Sequence, residues 1–180
     1  MIFSELTNKT YGDKPVEDFE KLYNQYYKRV YAFLYKLCRD AVICEDMTQD
    51  TFFEAYKSLY KYDGSCLMFT FLAAIAKNVY YKYLRKKKIE YVDIDLLCDT
   101  ISQAETPESI CMRNCQAQSV KRAVERLPKK YRDVVILRTY ADMPYSEIAL
   151  SLGITENSAK VIYHRAKKIL KEELFDEYTV

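Results

Sequence analysis

Apolar side chains at Phe19, Leu22, Tyr23, Tyr26, Val30, Phe33, Leu34 and Leu37 recur at spacings of three, four and one, which predicts a long amphipathic helix. Asp40 to Cys44 breaks that pattern. A second helix is predicted from about Glu45 to Leu59, with Met47, Thr51, Phe52, Ala55 and Leu59 facing a core. Asp46, Gln49, Asp50 and Phe53 fall on its opposite side, where a large aromatic among acids could anchor a protein partner or form a second buried stripe. A third helix follows over Phe69 to Lys88. Its inward stripe is Leu72, Ala76, Val79 and Tyr83, while Lys77, Asn78, Tyr81, Lys82 and Arg85 share another side. The loop Tyr62-Asp63-Gly64-Ser65 leads into it. Residues 17–88 therefore read as one small helical domain, preceded by a polar extension over 1–16.

The period is lost over 89–112, where Thr106-Pro107-Glu108 reads as a turn into a helix start. We expect a linker there, extended at first. Helical spacing returns with Val120, Val124 and Leu127, which end at Pro128, and again with Tyr131, Val134, Val135 and Arg138. That helix is expected to stop near Ala141 to Pro144. Ile148, Ala149 and Leu152 then point inward, Gly153 supplies a tight turn, Ile154 plugs the gap and Thr155 caps a further helix packed through Ala159, Tyr163, Ala166 and Leu170. This spacing predicts a helix-turn-helix, with a plain helical hairpin as the alternative. Asn157, Ser158, Lys160, Val161, His164, Arg165 and Lys168 fall on the outward face, as a major-groove reader requires. With only three glycines and four prolines and little alternation, the chain is expected to be all-α: two small helical domains joined by an acidic linker, the second containing the helix-turn-helix.

Charge sharpens this reading. The net charge of +2 names no partner, but Lys61 to Lys88 holds seven basic residues against one acidic, and 89–112 holds six acids and no base. Arg113 to Glu173 is basic again. Two positive blocks around a negative one suggest two anion-binding modules. Tyrosines among the cations of the first block suit single-stranded nucleic acid, although a solvated basic helix end has the same composition. The six cysteines, at 38, 44, 66, 98, 111 and 115, contain no CxxC pair, so neither a zinc site nor any other metal or cofactor is expected. They read as reduced, buried small side chains, with Cys111 and Cys115 on one helical face. His164 is the only histidine, so contact with a groove or phosphate is favoured over chemistry. No nucleotide loop or nucleophile–base set is present, and we expect no enzyme activity. The first residues lack a secretory pattern, and no window approaches the roughly 20 apolar residues of a membrane span. A cytoplasmic protein without membrane insertion is expected.

Three stretches in order resemble bacterial RNA polymerase sigma factors of the sigma-70 family, in the small extracytoplasmic-function (ECF) group. They are Cys44-Glu45-Asp46-Met47-Thr48-Gln49-Asp50-Thr51-Phe52; Phe69 to Leu72 with Ile75-Ala76-Lys77-Asn78 and Tyr83-Leu84-Arg85; and Leu127-Pro128 through Leu137-Arg138 with the helix-turn-helix behind it. The resemblance implies a transcription initiation factor that binds core polymerase, directs it to specific promoters and assists their melting. On that basis 17–88 corresponds to sigma region 2, binding core polymerase and the minus-ten element. Residues 113–175 correspond to region 4, binding the minus-thirty-five element.

The resemblance also implies roles for residues. Asp46, Gln49, Asp50 and Phe53 would dock on the β′ clamp helices, and the second domain on the β flap. The loop from Tyr62 to Leu67, with Tyr62, Asp63, Gly64 and Ser65 as its site residues, would capture a flipped-out base. Lys77, Asn78, Tyr81, Lys82 and Arg85 would hold the melted strand, and Asn157, Ser158, Lys160, Val161, His164, Arg165 and Lys168 would read duplex DNA. An anti-sigma factor is implied as a further partner. Four positions depart from the family's pattern: Phe71 stands for a tryptophan, Lys82 for an acid, Pro144 for a hydroxyl cap and Ile162 for an arginine. A helix-turn-helix regulator acting without polymerase is the alternative, although it has no use for the Asp46–Phe53 face. An interaction module serving only to engage a regulator is a third reading.

Overall fold

The computed structural model describes residues 16–92 and 119–177, with side chains over 19–87 and 119–175. Every regular element among them is helical. The expected N-terminal extension, the linker beyond Val92 with its Thr106-Pro107-Glu108 turn, and Cys98, Cys111 and Cys115 lie outside the described residues. The chain divides into two compact units between Lys82 and Tyr83.

In the first unit, α1 (Val16–Cys38) packs on α2 (Ala41–Ser58), and after a short 3-10 turn at Leu59–Lys61 begins α3 (Met68–Val92), whose last residues lie beyond the division at Lys82. Val30, Phe33, Leu34 and Leu37 of α1 are buried, as the periodicity requires. Their burial stabilises the unit by about 1.5–3 kcal/mol per side chain relative to exposure. The α1–α2 reversal is made by Arg39, at φ 61°, and by Asp40, whose Oδ1 accepts from the Ile43 N–H at 3.0 Å. That cap moves the start of α2 to Ala41, four residues before the expected Glu45, because residues that look like a break in the hydrophobic pattern form its first turn. Thr48 and Thr51 lie wholly buried in α2. Each hydroxyl donates to the carbonyl four residues back, Cys44 and Met47 respectively, both at 2.7 Å, so neither burial leaves an unmet donor. The Arg29 guanidinium of α1 lies 3.6 Å from the centroid of the Phe69 ring in α3.

Cys44 is buried and its Sγ donates to the Tyr31 carbonyl at 3.3 Å. Burial, reinforced by the nearby Cys38 thiol, pushes its pKa up to about 12, so it is an inert packing group. Cys38 and Cys66 are only half-buried, which departs from the expectation of uniformly buried thiols.

α3 continues to Val92 rather than ending at Lys88, so the first residues of the expected extended linker are helical. Positively charged Arg85 to Lys87 are therefore followed by further helix, and not by a chain reversal.

The second unit contains a helix described over 119–126 (α4), α5 (Lys129–Val135), α6 (Tyr145–Leu152) and α7 (Glu156–Glu177). α5 and α6 both pack on α7. Val120 was expected in the core and is 41% exposed; the α4 core begins at Ala123, with Val124 and Leu127.

Val134, Val135, Ile136 and Leu137 are four consecutive buried residues, so this helix is enclosed on all sides. It widens into a π turn over Ile136–Tyr140, closed by the Ala141 N–H donating to the Ile136 carbonyl at 3.3 Å. Arg138 then holds the following turn. Its Nη1 donates to the Met143 carbonyl at 2.9 Å while the guanidinium lies 4.7 Å from the centroid of the Tyr145 ring.

Candidate functional site

Asp46, Gln49, Asp50 and Phe53 are all exposed on α2, Phe53 by 44%, while Phe52 beside it is buried. The helix thus spends one phenylalanine on the core and leaves the next in solvent. Phe53 has a cation over it: the Lys57 Nζ stands 4.9 Å from its ring centroid and 3.0 Å from Glu54 Oε1. The second-buried-stripe alternative for this face does not hold.

The 62–66 loop is closed on itself. The Tyr62 hydroxyl donates to the Cys66 carbonyl at 2.7 Å, and the Ser65 N–H donates to Asp63 Oδ1 at 2.9 Å. Gly64 sits between them at φ 79°, a conformation in which any side chain would be strained. The ring of Tyr62 lies 5.3 Å from that of Phe71, so phenylalanine at the position of the family's tryptophan still supports the loop. Hydrogen bonds from Ser65, first its side chain and then its backbone N–H, hold the Asp63 carboxyl below its ordinary pKa.

On α3, Asn78, Lys82 and Arg85 are exposed and Tyr81 is half-buried, its ring 6.2 Å from that of Tyr80. Lys77 departs from the expected face. It is only 6% exposed, because it lies four residues after Ala73 and three before Tyr80, both buried. The inward stripe of α3 is wider than Leu72, Ala76 and Val79, and its apolar stem lies along that stripe.

The second unit forms the expected helix-turn-helix. Gly153 ends α6 at φ 64° and ψ 38°, and the Ile154 N–H donates back to the Ala149 carbonyl at 3.0 Å. Thr155 caps α7, its Oγ1 accepting from the Ser158 N–H at 3.1 Å. At 22 residues, α7 is about 33 Å long. Ala159, Ile162 and Ala166 form its packed stripe, and small residues at 159 and 166 permit close approach.

Asn157, Lys160, Val161, His164, Arg165 and Lys168 are exposed as expected. Ser158 is half-buried and its hydroxyl lies 2.8 Å from that of Thr155, so it serves the turn. Ile162 is a core residue, 5% exposed, which explains why an apolar side chain is stable there. Pro144 precedes α6 without a side-chain cap. Lys160 is paired with Glu156 at 2.7 Å, both about half exposed, a pair of little energetic weight.

Sequence reasoning passed over Tyr60, which precedes the closed loop and is 68% exposed; Leu67, the last residue of the expected loop, is 61% exposed. Only the seven-residue spacing from Phe53 to Tyr60 hinted at the first. Among the described residues no group of three potential ligands could hold a metal ion, and no helix is long and apolar enough to cross a membrane.

A compact three-helix unit with a closed polar loop, and a second unit built on a helix-turn-helix, define a protein of the nucleic-acid-binding helical class. The family description "Sigma-70 region 2" matches residues 22–89 and "Sigma-70, region 4" matches 117–170. RNA polymerase sigma factor YlaC of Bacillus subtilis (strain 168) is 27% identical over 163 residues, covering 88% of this chain and 92% of that protein. ECF RNA polymerase sigma factor SigM of the same organism is 28% identical over 152 residues, covering 84% and 92%. The fold is similar to that of the sigma factor RpoE in its co-crystal structure with the anti-sigma factor NepR from Bartonella quintana. That match has a TM-score of 0.58 and 23% identity, and covers 88% of this chain and 98% of that one.

The chain belongs to the sigma-70 family, among its ECF sigma factors. It is a factor for promoter-specific initiation of transcription with RNA polymerase.

Proposed function

We propose that the two units divide the work of initiation between them. The α2 face of Asp46, Gln49, Asp50 and Phe53 docks on the β′ clamp helices of core polymerase. The loop from Tyr62 to Ser65 receives a flipped-out base of the minus-ten element, and Asn78, Tyr81, Lys82 and Arg85 hold the melted strand beyond it. The exposed face of α7 reads the minus-thirty-five element, and the second unit engages the β flap. In domain terms, 17–88 and 113–175 are the working parts and 89–112 their acidic connector. The protein acts in the cytoplasm, and its part is binding and positioning rather than catalysis.

The observation that carries this reading is the exposed acid-and-phenylalanine face of α2 in the same chain as a helix-turn-helix. A regulator that bound only duplex DNA would leave a 44%-exposed phenylalanine among acids with no partner. Titration of the labelled full chain with core polymerase is expected to give saturable binding in the absence of DNA. Binding to duplex DNA but not to polymerase would overturn the reading in favour of a regulator.

The relative from Bartonella quintana was crystallised with an anti-sigma factor. We propose a cognate anti-sigma partner for this chain as well, covering the same exposed faces.

Two of these surfaces have direct tests. Lys160→Ala is expected to weaken duplex binding and to lower the slope of log affinity against log salt by about one unit, the value for one lost phosphate contact. An unchanged slope in a salt titration would take Lys160 off the phosphate backbone. For the loop, the depressed Asp63 pKa fixes the sign of the pH response. The carboxylate's contribution to loop order is complete above the ordinary carboxylate range and is lost as pH falls through the lowered folded value. The Ser65 amide resonance is expected to track this loss. Asp63→Asn keeps the acceptor and should abolish the acid transition, whereas a transition that persists in this variant assigns it to another group.

A further inference from the structure

Gln49 is exposed on the outer face of α2, yet its amide is already turned. Its Nε2 donates to Glu45 Oε1, one helical turn earlier, at 3.3 Å. A carboxylate has acceptors only, so the nitrogen end of the amide is the end that faces it. The Gln49 Oε1 is left without a partner among the described residues. By itself an exposed pair at this spacing holds a side chain only loosely.

Glu45 has a second anchor. The Tyr27 hydroxyl of α1 donates to its other oxygen, Oε2. Tyr27 is in turn fixed by neighbouring rings: its centroid lies 5.2 Å from that of Tyr23, 6.1 Å from that of Tyr31 and 6.4 Å from that of the buried Phe52. Burial, and then the bond to Glu45, raise the Tyr27 pKa, so the hydroxyl stays protonated and donating. Tyr27, Glu45 and Gln49 thus form one hydrogen-bonded series. It runs from the aromatic packing between α1 and α2 out to the face that carries Asp46, Asp50 and Phe53. A free glutamine side chain loses its rotamer freedom on binding, and one already held loses less.

We propose that Tyr27 and Glu45 are positioning residues for core-polymerase binding: they hold the Gln49 amide with its carbonyl oxygen outward, to accept from an N–H donor of polymerase. The inference rests on the proposed docking role of Gln49. An outward carbonyl matches its neighbours, because the Asp46 and Asp50 carboxylates are acceptors too, and the whole face then calls for donors. Tyr27 and Glu45 act through Gln49 and need not touch polymerase themselves.

Titration of the labelled full chain with core polymerase tests this. Tyr27→Phe keeps the ring and removes the donor, and is expected to weaken binding by about two- to tenfold, the range for ordering one more side chain. In a Gln49→Ala background the same substitution is expected to have no effect, because the amide it positions is gone. Gln49→Met keeps the length and loses the carbonyl, and is expected to bind as weakly as Gln49→Ala. In nuclear magnetic resonance spectra of the isotope-labelled free chain, the Gln49 side-chain amide signals are expected to move toward those of an unbonded amide in Tyr27→Phe and in Glu45→Ala.

A Tyr27→Phe loss that persists in the Gln49→Ala background would make Tyr27 merely structural and overturn the proposal. Unmoved Gln49 amide signals in either variant, or Gln49→Met binding like the parent, would overturn it as well. Parent-like binding by Tyr27→Phe, with Gln49→Ala weakened, would overturn it and leave the docking face standing. Parent-like binding by Gln49→Ala would remove Gln49 from that face, and the inference with it.

Discussion

Replacing Gln49 and Phe53 together by alanine is expected to weaken core-polymerase binding by about thirty- to several-hundredfold. This corresponds to roughly 2–4 kcal/mol, the range for interface residues that carry the binding energy. On the proposed docking face Phe53 would supply the apolar anchor and Gln49 the polar group beside it, with Asp46 and Asp50 framing them with charge. Both substituted side chains are exposed, so folding should not change and the duplex affinity of the second unit should be retained. Polymerase titration, duplex titration and thermal unfolding of the same variant separate these quantities. Equal loss of polymerase and DNA binding would indicate misfolding and undo the assignment of this face.

The second large effect is expected at Ile148, a wholly buried residue of α6. Ile148→Ala removes side-chain volume from the packing under the helix-turn-helix and should cost about 2–5 kcal/mol. For a small unit whose total stability is on the order of 5–15 kcal/mol, that is enough to loosen the support of α7. Duplex affinity is expected to fall with it, while polymerase binding through α2 is retained. Ile148→Val keeps most of the volume and should cost about 0.5–1.5 kcal/mol, leaving DNA binding near its original value. Urea unfolding followed in parallel with duplex binding checks both variants. An alanine variant as stable as the parent would show that this residue does not hold the motif together.

Much of this architecture is written in spacing alone. Val30, Phe33, Leu34 and Leu37 make α1 legible because their period matches one buried helix face. Gly153 and Thr155 make the helix-turn-helix legible because each has a local role: a left-handed turn, and an oxygen for an orphan N–H. The exposed and buried members of the pair Phe52 and Phe53 also separate by period.

Where packing is wider than one stripe, spacing misleads. Lys77 looks like part of a cationic face, yet Ala73 and Tyr80 extend the buried side of α3 around it. Ile162 looks like a missing arginine, whereas α7 uses it together with Ala159 and Ala166 as core. The early start of α2 is missed because a capping residue and a polar first turn resemble a loop until the Asp40–Ile43 hydrogen bond is seen. The π turn at Ile136–Tyr140 has no marker in the sequence; it is visible only in the backbone, where it runs through buried Ile136 and Leu137 into the turn that Arg138 holds.

We expect this chain to confer promoter specificity on polymerase through the proposed surfaces. Run-off transcription with purified core polymerase on genomic fragments, including the region upstream of the protein's own gene, tests it most directly. Transcripts with defined start sites are expected to appear only when the protein is added and to vanish with the Gln49→Ala, Phe53→Ala double variant. Transcription unchanged by the protein, alongside intact duplex DNA binding, would contradict it.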